Sequence, residues 1–563
     1  MRIVIVGGVG GGMSCAARAR RLDERAEILV LERGEHVSVA TCGLPYHLGG
    51  EVEERALQVQ SPESLRAALD LDVRPRHEVV GLDTAARTVA VRTPDGDETI
   101  GYDALVLSPG ATAIVPPLPG LADSPRVRTL RSIADATALR GAIAAGARSA
   151  VVLGGGFIGL EAAEALAGRG LDVAVVELAP HVLPPLEPEL ARLVAEELER
   201  LGVDVREGVG ATAVESDADA GVVLLADGSR LRADLVVLAV GVRPDTAAFQ
   251  AAGIATERGA ILVDEHGRTS VPGVWAVGDA VASVDAVTGV RRPVALAGPA
   301  ARAGRLVADD ILRPGTARPI PAALGTAIVR VGSLTAATTG ANRAALAAAG
   351  IAFETIHLHP SQHVGWFPGA EPMQLLVHFR ASDGALLGAQ AVGPAGVDKR
   401  IDVLAAAIRG GLGVADLIDL DLGYAPPYGA AKDPVNLAGM LGEDVLTGQT
   451  RLWHAAELDE VRRTALVLDV RRPDETATGR LPEALPIPHT ELRDRLDEVR
   501  EVAAGRPVRV MCQSGVRSHI AHRVLVAEGF DSATLSGGML TLRAALGRRA
   551  AELLIADDVP AGV

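Results

Sequence analysis

Apolar residues in this chain gather into short runs rather than alternating one by one. RIVIV at 2–6 stops on the glycines of GGVGGG at 7–12. SCAARARRLDERA follows with apolar residues at helical spacing, and the next run, EILVLE, ends on Glu32. Short continuous runs bounded by glycine predict strands buried on both faces, and the helical spacing predicts a covering helix. The same order of strand, glycine turn, helix, strand and acid returns in SAVVLGGGFIGLEAAEALAGRGLDVAVVE, which ends on Glu177. Two such units predict two parallel sheets of the dinucleotide-binding type.

The chemistry of this pattern lies in its turns. A glycine turn that opens a helix presents backbone N–H groups to a diphosphate, and an acid ending the next strand grips ribose hydroxyls. In the first unit Gly7, Gly8, Gly11 and Gly12 form the turn, and Glu32 is the acid, 20 residues beyond Gly12. The middle position of the G-x-G-x-x-G frame is Val9 instead of glycine. In the second unit Gly154, Gly156 and Gly159 fall in frame and Glu177 is the acid. A carboxylate there repels a 2′-phosphate, so the expected nucleotide is NADH. Other runs end on glycine too. YDALVLSPGATA carries Gly110, DLVVLAVGVRPD closes the second unit, and TSVPGVWAVGDA ends on Gly278 and Asp279, an aspartate placed to hydrogen-bond a ribityl hydroxyl.

Strand-like and helix-like stretches mix from 321 to 445, a third unit. GEDVLTGQTRLWHAAEL at 442–458 shows no core pattern and is expected to be a connection. Beyond it ALVLDVRRPDE, RPVRVMC, SHIAHRVLVAEGF and ATLSGG alternate strand with helix, which implies a small parallel sheet. Active sites in such sheets lie at the carboxyl ends of strands, where Cys512 stands.

Composition narrows the function. At 563 residues the chain has room for about four compact units. A net charge of −16 and an aromatic content of 2% argue against a nucleic-acid partner. No apolar run approaches the roughly 18 residues of a membrane span, and the N-terminal run is too short for a secretory signal. Three cysteines without a CxxC pair argue against a disulfide scaffold and for a reducing cytoplasm, in which a conspicuous cysteine is reactive. HLHPSQH at 357–363 lacks a carboxylate or thiol to complete a ligand set, so no metal is expected.

The five ordered motifs of residues 1–320 together resemble the pyridine nucleotide–disulfide oxidoreductases. The resemblance implies FAD in the first fold, NAD(P)H in the second, and the Gly278-Asp279 pair on the flavin ribityl chain. Class members such as glutathione reductase carry a CxxxxC pair on the first helix, which this chain lacks. Instead SVATCGLPYHLGG, with the single cysteine Cys42, is similar to the SFxxC motif of coenzyme A disulfide reductases and related NADH oxidases and peroxidases. Val39 and Thr41 replace the usual phenylalanine and asparagine. The resemblance implies that Cys42 pairs with an external sulfur. Ser38 and Thr41 would lie beside the substrate, and Arg18 and Arg21 would hold coenzyme A phosphates. Cys15, inside a helical pattern, is expected in the core.

DLGYAPPYGAAKDPVN at 421–436 resembles the same family's C-terminal dimerisation domain. That implies a homodimer in which Tyr424 supports the reactive sulfur and donates a hydrogen bond or proton to a leaving thiolate, with Tyr428 as a second contact. His363 matches the family's histidine in its segment. In QHVGWFPGA, Trp366 and Phe367 stand where a second family tyrosine is usual.

The order of Asp-x-Arg strand, cysteine loop and L-x-GG resembles the rhodanese sulfurtransferases, with GRLPEAL in place of their GHIPGA. CQSGVR is Cys-x4-Arg. Phosphatases of similar architecture use Cys-x5-Arg, whose extra residue widens the cradle for phosphate. The shorter loop suits a persulfide on Cys512, stabilised by loop N–H groups and the following helix N-terminus, with Arg517 adding charge or pinning the loop.

The expected fold is therefore α/β. It comprises an FAD-binding domain (1–112 and 245–320), an NAD(H)-binding domain (113–244), an α+β dimerisation domain (321–445), a linker (446–455) and a rhodanese domain (456–563). The chain resembles the coenzyme A disulfide reductase–rhodanese fusions, which implies NADH-dependent reduction of persulfide, polysulfide or disulfide sulfur of coenzyme A-type thiols. Alternatives are a coenzyme A disulfide reductase with an independent rhodanese, an NADH oxidase or peroxidase cycling Cys42 sulfenic acid, and a redox-sensing scaffold.

Overall fold

The computed structural model describes residues 1–216 and 221–556; residues 557–563, the end of the expected rhodanese unit, lie outside them. The chain divides into two compact units: Met1–Pro180 with Leu201–Gly325, and His181–Arg200 with the chain from Thr326 onward.

The first unit holds two five-stranded parallel sheets that share the order of four strands and differ in where the fifth, an edge strand, comes from in the chain. One runs Val274–Ala276, Ala104–Leu107, Arg2–Val6, Glu27–Glu32, Asp72–Pro75. The other runs Val127–Arg128, Leu235–Leu238, Ser149–Leu153, Asp172–Glu177, Asp204–Glu207. Their central strands are buried along almost their whole length, which is why they read as continuous apolar runs. Both expected boundaries of the second domain fall at one two-stranded ribbon, Ala111–Ala113 paired with Val242–Pro244. Cys15 lies in the first core, where burial pushes its thiol up to about 12.

The helix Gly10–Leu22 packs closely on the helix Ala297–Leu312. A side chain at Gly304 would overlap the Gly11 carbonyl oxygen, so the contact depends on bare backbone. Arg18 closes the same contact, donating to Asp309 Oδ1 from Nε at 2.8 Å and from Nη2 at 2.6 Å.

The second unit contains an antiparallel sheet and a parallel one. The antiparallel order is Ala327–Val331, Leu334–Gly340, Leu386–Gly393, Gln374–Arg380, Phe353–Leu358, and the helices Val397–Gly410 and Pro434–Leu446 share its core. The parallel order is Leu452–Trp453, Ser532–Leu535, Val508–Met511, Leu466–Asp469, Leu485–Pro486. The expected connection is thus not a plain linker. It begins in the helix Pro434–Leu446 and ends in an edge strand of the parallel sheet. Trp453 is buried there and donates its indole N–H to Val510 O at 3.3 Å.

Candidate active site

The two glycine turns of the first unit are built alike. Gly7 and Gly154 each follow a central strand with φ of +101° and +105°, a region that favours glycine. Side chains at Gly12 and Gly159 would overlap the carbonyl oxygens of Gly7 and Gly154, so each helix starts directly against its own strand. Gly8 N–H donates to Glu32 Oε2 at 2.7 Å, and Gly155 N–H donates to Glu177 Oε2 at 2.5 Å. The second oxygens accept from Gly34 N–H and Ala179 N–H, both at 2.7 Å. Both acids are fixed beside the turn whose nucleotide they would read. Val9 and Gly156 occupy equivalent N-cap positions, and both are extended. That conformation accepts valine without strain.

A cavity of about 1120 Å³ opens over the first turn. Gly7, Val9, Glu32, Ser108, Gly110, Arg131 and Asp279 are among its walls. The first N–H groups of the helix Gly10–Leu22 have no intrahelical acceptor and favour an anion. Asp279 follows Gly278 (φ +81°), and its carboxylate accepts no hydrogen bond among the described residues. Burial pushes it above the usual carboxylate range, opposed by the Arg131 charge. An unpartnered carboxylate in the wall of a large cavity fits a polyhydroxyl chain. Together the turn, Glu32 and Asp279 fit the diphosphate, ribose and ribityl groups of FAD. Ser108 and Arg131, absent from the sequence expectation, join them through folding alone.

Cys42 is exposed, in a 3₁₀ turn, Thr41–Gly43. Val39 and Thr41 line the cavity, and Cys42 follows Thr41 directly in the chain. Ser38, with φ +52°, donates its N–H to Gly8 O at 2.7 Å and ties this stretch to the glycine turn. Arg18, expected at coenzyme A phosphates, is instead bound to Asp309, and its guanidinium is engaged within the protein. Arg21 is exposed and donates to Ala17 O at 3.3 Å.

In the second unit Tyr424 and Tyr428 are both exposed. Val364 N–H donates to Gly429 O at 3.0 Å, bringing the Trp366 segment beside the Tyr428 segment. Trp366 is 73% exposed, and Phe367 stacks edge-on against His363 at 5.5 Å. Large apolar rings left in water on one patch suit coverage by another chain.

Cys512 follows directly on Val508–Met511, buried, at the carboxyl end of the sheet. Gly515 N–H donates to its Sγ at 3.2 Å, and the helix Val516–Ala527 starts at once. Arg517 holds Glu475 with Nη1 and Nη2, each at 2.6 Å. This pair keeps the Glu475 carboxyl down at about 2. Arg517 therefore pins the loop to the helix Pro473–Ala477, while its charge still acts electrostatically with Cys512. A second fork, missed by the sequence reading, lies beneath: buried Arg471 donates to buried Asp469 (2.7–3.0 Å) and to Gly479 O at 2.8 Å. Its signal was present in the Asp-x-Arg of VLDVRR.

Residues 1–304 match the family Pyridine nucleotide-disulphide oxidoreductase. The chain belongs to that family. Residues 326–434 match the oxidoreductase family's dimerisation domain, and 450–545 match the Rhodanese-like domain. Among curated oxidoreductases of the family, the chain is 32% identical to the coenzyme A disulfide reductase of Staphylococcus haemolyticus, over 79% of this chain and 100% of that one. The solved structure of reduced Bacillus anthracis CoADR-RHD is 38% identical, covers 98% of this chain and 99% of its own, and superposes with a TM-score of 0.94. The NAD-dependent persulfide reductase of A. fulgidus is 34% identical, covers 96% and 100%, and superposes at 0.90. The water-forming NADH oxidase of Lactobacillus brevis is 26% identical and covers only 80% of this chain, at 0.76. Members of this oxidoreductase family use FAD and NAD(H), the two cofactors the glycine turns fit.

Proposed function

We propose that this protein is an NADH-dependent flavoprotein that reduces persulfide or disulfide sulfur of coenzyme A-type thiols at Cys42 and carries a sulfurtransferase site at Cys512. The observation that carries this reading is Cys42 itself, an exposed single thiol directly following Thr41, which with Val39 lines the dinucleotide cavity. With no second protein thiol beside it, its disulfide partner must come from outside. The similar proteins that span nearly the whole chain carry the names CoADR-RHD and persulfide reductase, and the NADH oxidase does not span it.

The chemistry follows from the thiolate. Cys42 S⁻ attacks the carbon-bound sulfur of R–S–SH, the S–S bond breaks, and HS⁻ leaves with its electron pair. With a disulfide R–S–S–R the leaving group is RS⁻. Either way Cys42 is left in a mixed disulfide, Cys42–S–S–R. Bound FAD supplies the electron pair taken from NADH. Two electrons and a proton return Cys42 S⁻ and RSH, so each turnover converts one persulfide and one NADH into thiol, sulfide and NAD⁺. At the second site Cys512 takes a sulfane sulfur as a persulfide, held by loop N–H groups such as that of Gly515. Fusing the two sites raises the effective concentration of a shared sulfur carrier.

Tyr424 and Tyr428 serve the Cys42 site of a second copy in a homodimer, which accounts for their exposure. The setting is the cytoplasm: Cys15, Cys42 and Cys512 are all free thiols. Among the described residues no helix is long and apolar enough to cross a membrane.

Anaerobic NADH oxidation with coenzyme A persulfide tests the reading. Sulfide release equal to NADH consumed is expected, with kcat/KM above that for coenzyme A disulfide. A Cys42→Ser protein that still turns over persulfide would end it.

A further inference from the structure

The turn that carries the cysteine loop is gripped from outside its own domain. Cys512 O accepts from Met539 N–H at 2.8 Å, and Gln513 O accepts from Leu540 N–H at 3.1 Å. The loop therefore rests on the turn Ser536-Gly537-Gly538, whose glycines have φ of +71° and +64°. A side chain at Gly538 would meet Cys512 O at 2.6 Å, so no spacer separates turn from loop.

On its far side the turn meets the strand Phe353–Leu358 of the antiparallel sheet. His357 Nδ1 lies 2.7 Å from Ser536 Oγ, and His357 N–H donates to the same oxygen at 3.2 Å. His357 Nε2 lies 2.7 Å from Glu189 Oε1. An ionised carboxylate only accepts, so Nε2 carries a hydrogen and donates it to Glu189, while Nδ1 and the Ser536 hydroxyl share one hydrogen bond. Ser536 Oγ thus makes two hydrogen bonds to a single histidine. Arg343 Nη2 bonds the same Glu189 Oε1 and Nη1 reaches Oε2 at 3.2 Å; against burial, which raises it, His357 and Arg343 together keep the carboxyl well below its usual range. Two residues on, His359 Nε2 lies 2.8 Å from Thr541 Oγ1. His357, Ser536, Glu189 and Thr541 are all buried.

We infer that His357, fixed by Glu189, is a positioning residue for sulfur transfer at Cys512, acting through Ser536 and the Gly537-Gly538 turn. The inference rests on the sulfurtransferase reading of Cys512. His357 touches neither the sulfur nor its substrate. It sets the height of the turn, the turn sets the loop carbonyls, and the loop sets where Gly515 N–H points at Sγ. The sequence offers no hint of this, because His357 and Ser536 are 179 residues apart.

The test uses the full chain with FAD bound, thiosulfate as sulfur donor and cyanide as acceptor. Ser536→Ala, which removes both bonds at that oxygen, and His357→Gln, which removes the ring bond, should each lower kcat at least about ten-fold, while the KM for thiosulfate moves less than about two-fold. Ser536→Thr, which keeps the hydroxyl, should recover at least about half of wild-type kcat, and the double variant should be no slower than the slower single one. Wild-type kcat in either single variant, or losses that multiply in the double variant, would overturn the inference. Alkylation of Cys512 by iodoacetamide is followed in the same proteins, because it needs no sulfur transfer. If the wild type fails to transfer sulfur, the sulfurtransferase reading fails. The positioning role then stands on an alkylation rate altered in Ser536→Ala and restored in Ser536→Thr, and an unaltered rate overturns it.

Discussion

Arg517 grips Glu475 through two parallel N–H···O bonds of 2.6 Å, one from each terminal nitrogen. Lysine keeps the charge but cannot make that fork. Arg517→Lys should lower sulfur transfer at Cys512 by about ten-fold, as one charge-assisted bond is lost. Glu475→Gln should do much the same. Full activity in Arg517→Lys, measured as thiosulfate-to-cyanide kcat, would show that charge rather than the pin is what matters.

Two histidines of the second unit make its stability depend on mild acid. Burial, reinforced by the nearby His357 charge, pushes His359 and His454 down to about 4 from an ordinary 6.5. The unfolded chain therefore takes up protons first as pH falls. Their contribution is complete above pH 6.5, declines between 6.5 and about 4, and is constant below. The thermal midpoint should drop over that window, and His454→Gln should flatten the drop. An unchanged slope in the variant would remove His454 from the account.

Glu177 is held by two backbone N–H groups at the end of its strand, facing the second glycine turn. Removing the carboxylate relieves its repulsion of a 2′-phosphate and removes a ribose acceptor. Glu177→Ala should raise the KM for NADH by about ten-fold and narrow the NADH-over-NADPH preference, read from kcat/KM for both nucleotides.

Val9 and Gly12 differ in what their backbone asks of them. The Val9 position is extended, so Val9→Gly should retain full FAD content. A side chain at Gly12 overlaps the Gly7 carbonyl, so Gly12→Ala should pry helix from strand and yield protein largely free of flavin. Flavin-to-protein absorbance ratios after purification decide both.

What was legible in the sequence was what local constraint writes there. The glycine turns, Glu32, Glu177 and the Cys512 loop are each specified within about 30 neighbouring residues, because strand, turn and helix must meet at once. Trp453 was not legible: its strand, Leu452–Trp453, is too short to show a period, and only the neighbouring strand Ser532–Leu535 makes it one. The pairing of Arg18 with Asp309 was equally illegible, because the two residues stand 291 positions apart. The His357 contacts stayed hidden for the same reason. Side chains that meet only through tertiary folding leave no spacing to read.

The helix Pro188–Arg200 gives the chain an unusual itinerary. It lies between stretches of the first unit in sequence, yet it packs on the strand Leu386–Gly393 and the helix Gly538–Leu546. The chain consequently crosses between the two units three times, near residues 180, 200 and 325. No single scission can release one unit intact. A protein ended at 325 would keep this helix while losing the surfaces that cover it, and its apolar side, with Leu190, Val194 and Leu198, would face water. The two compact units are thus interleaved along the chain, and an engineer seeking either one alone must re-route the chain, not merely shorten it.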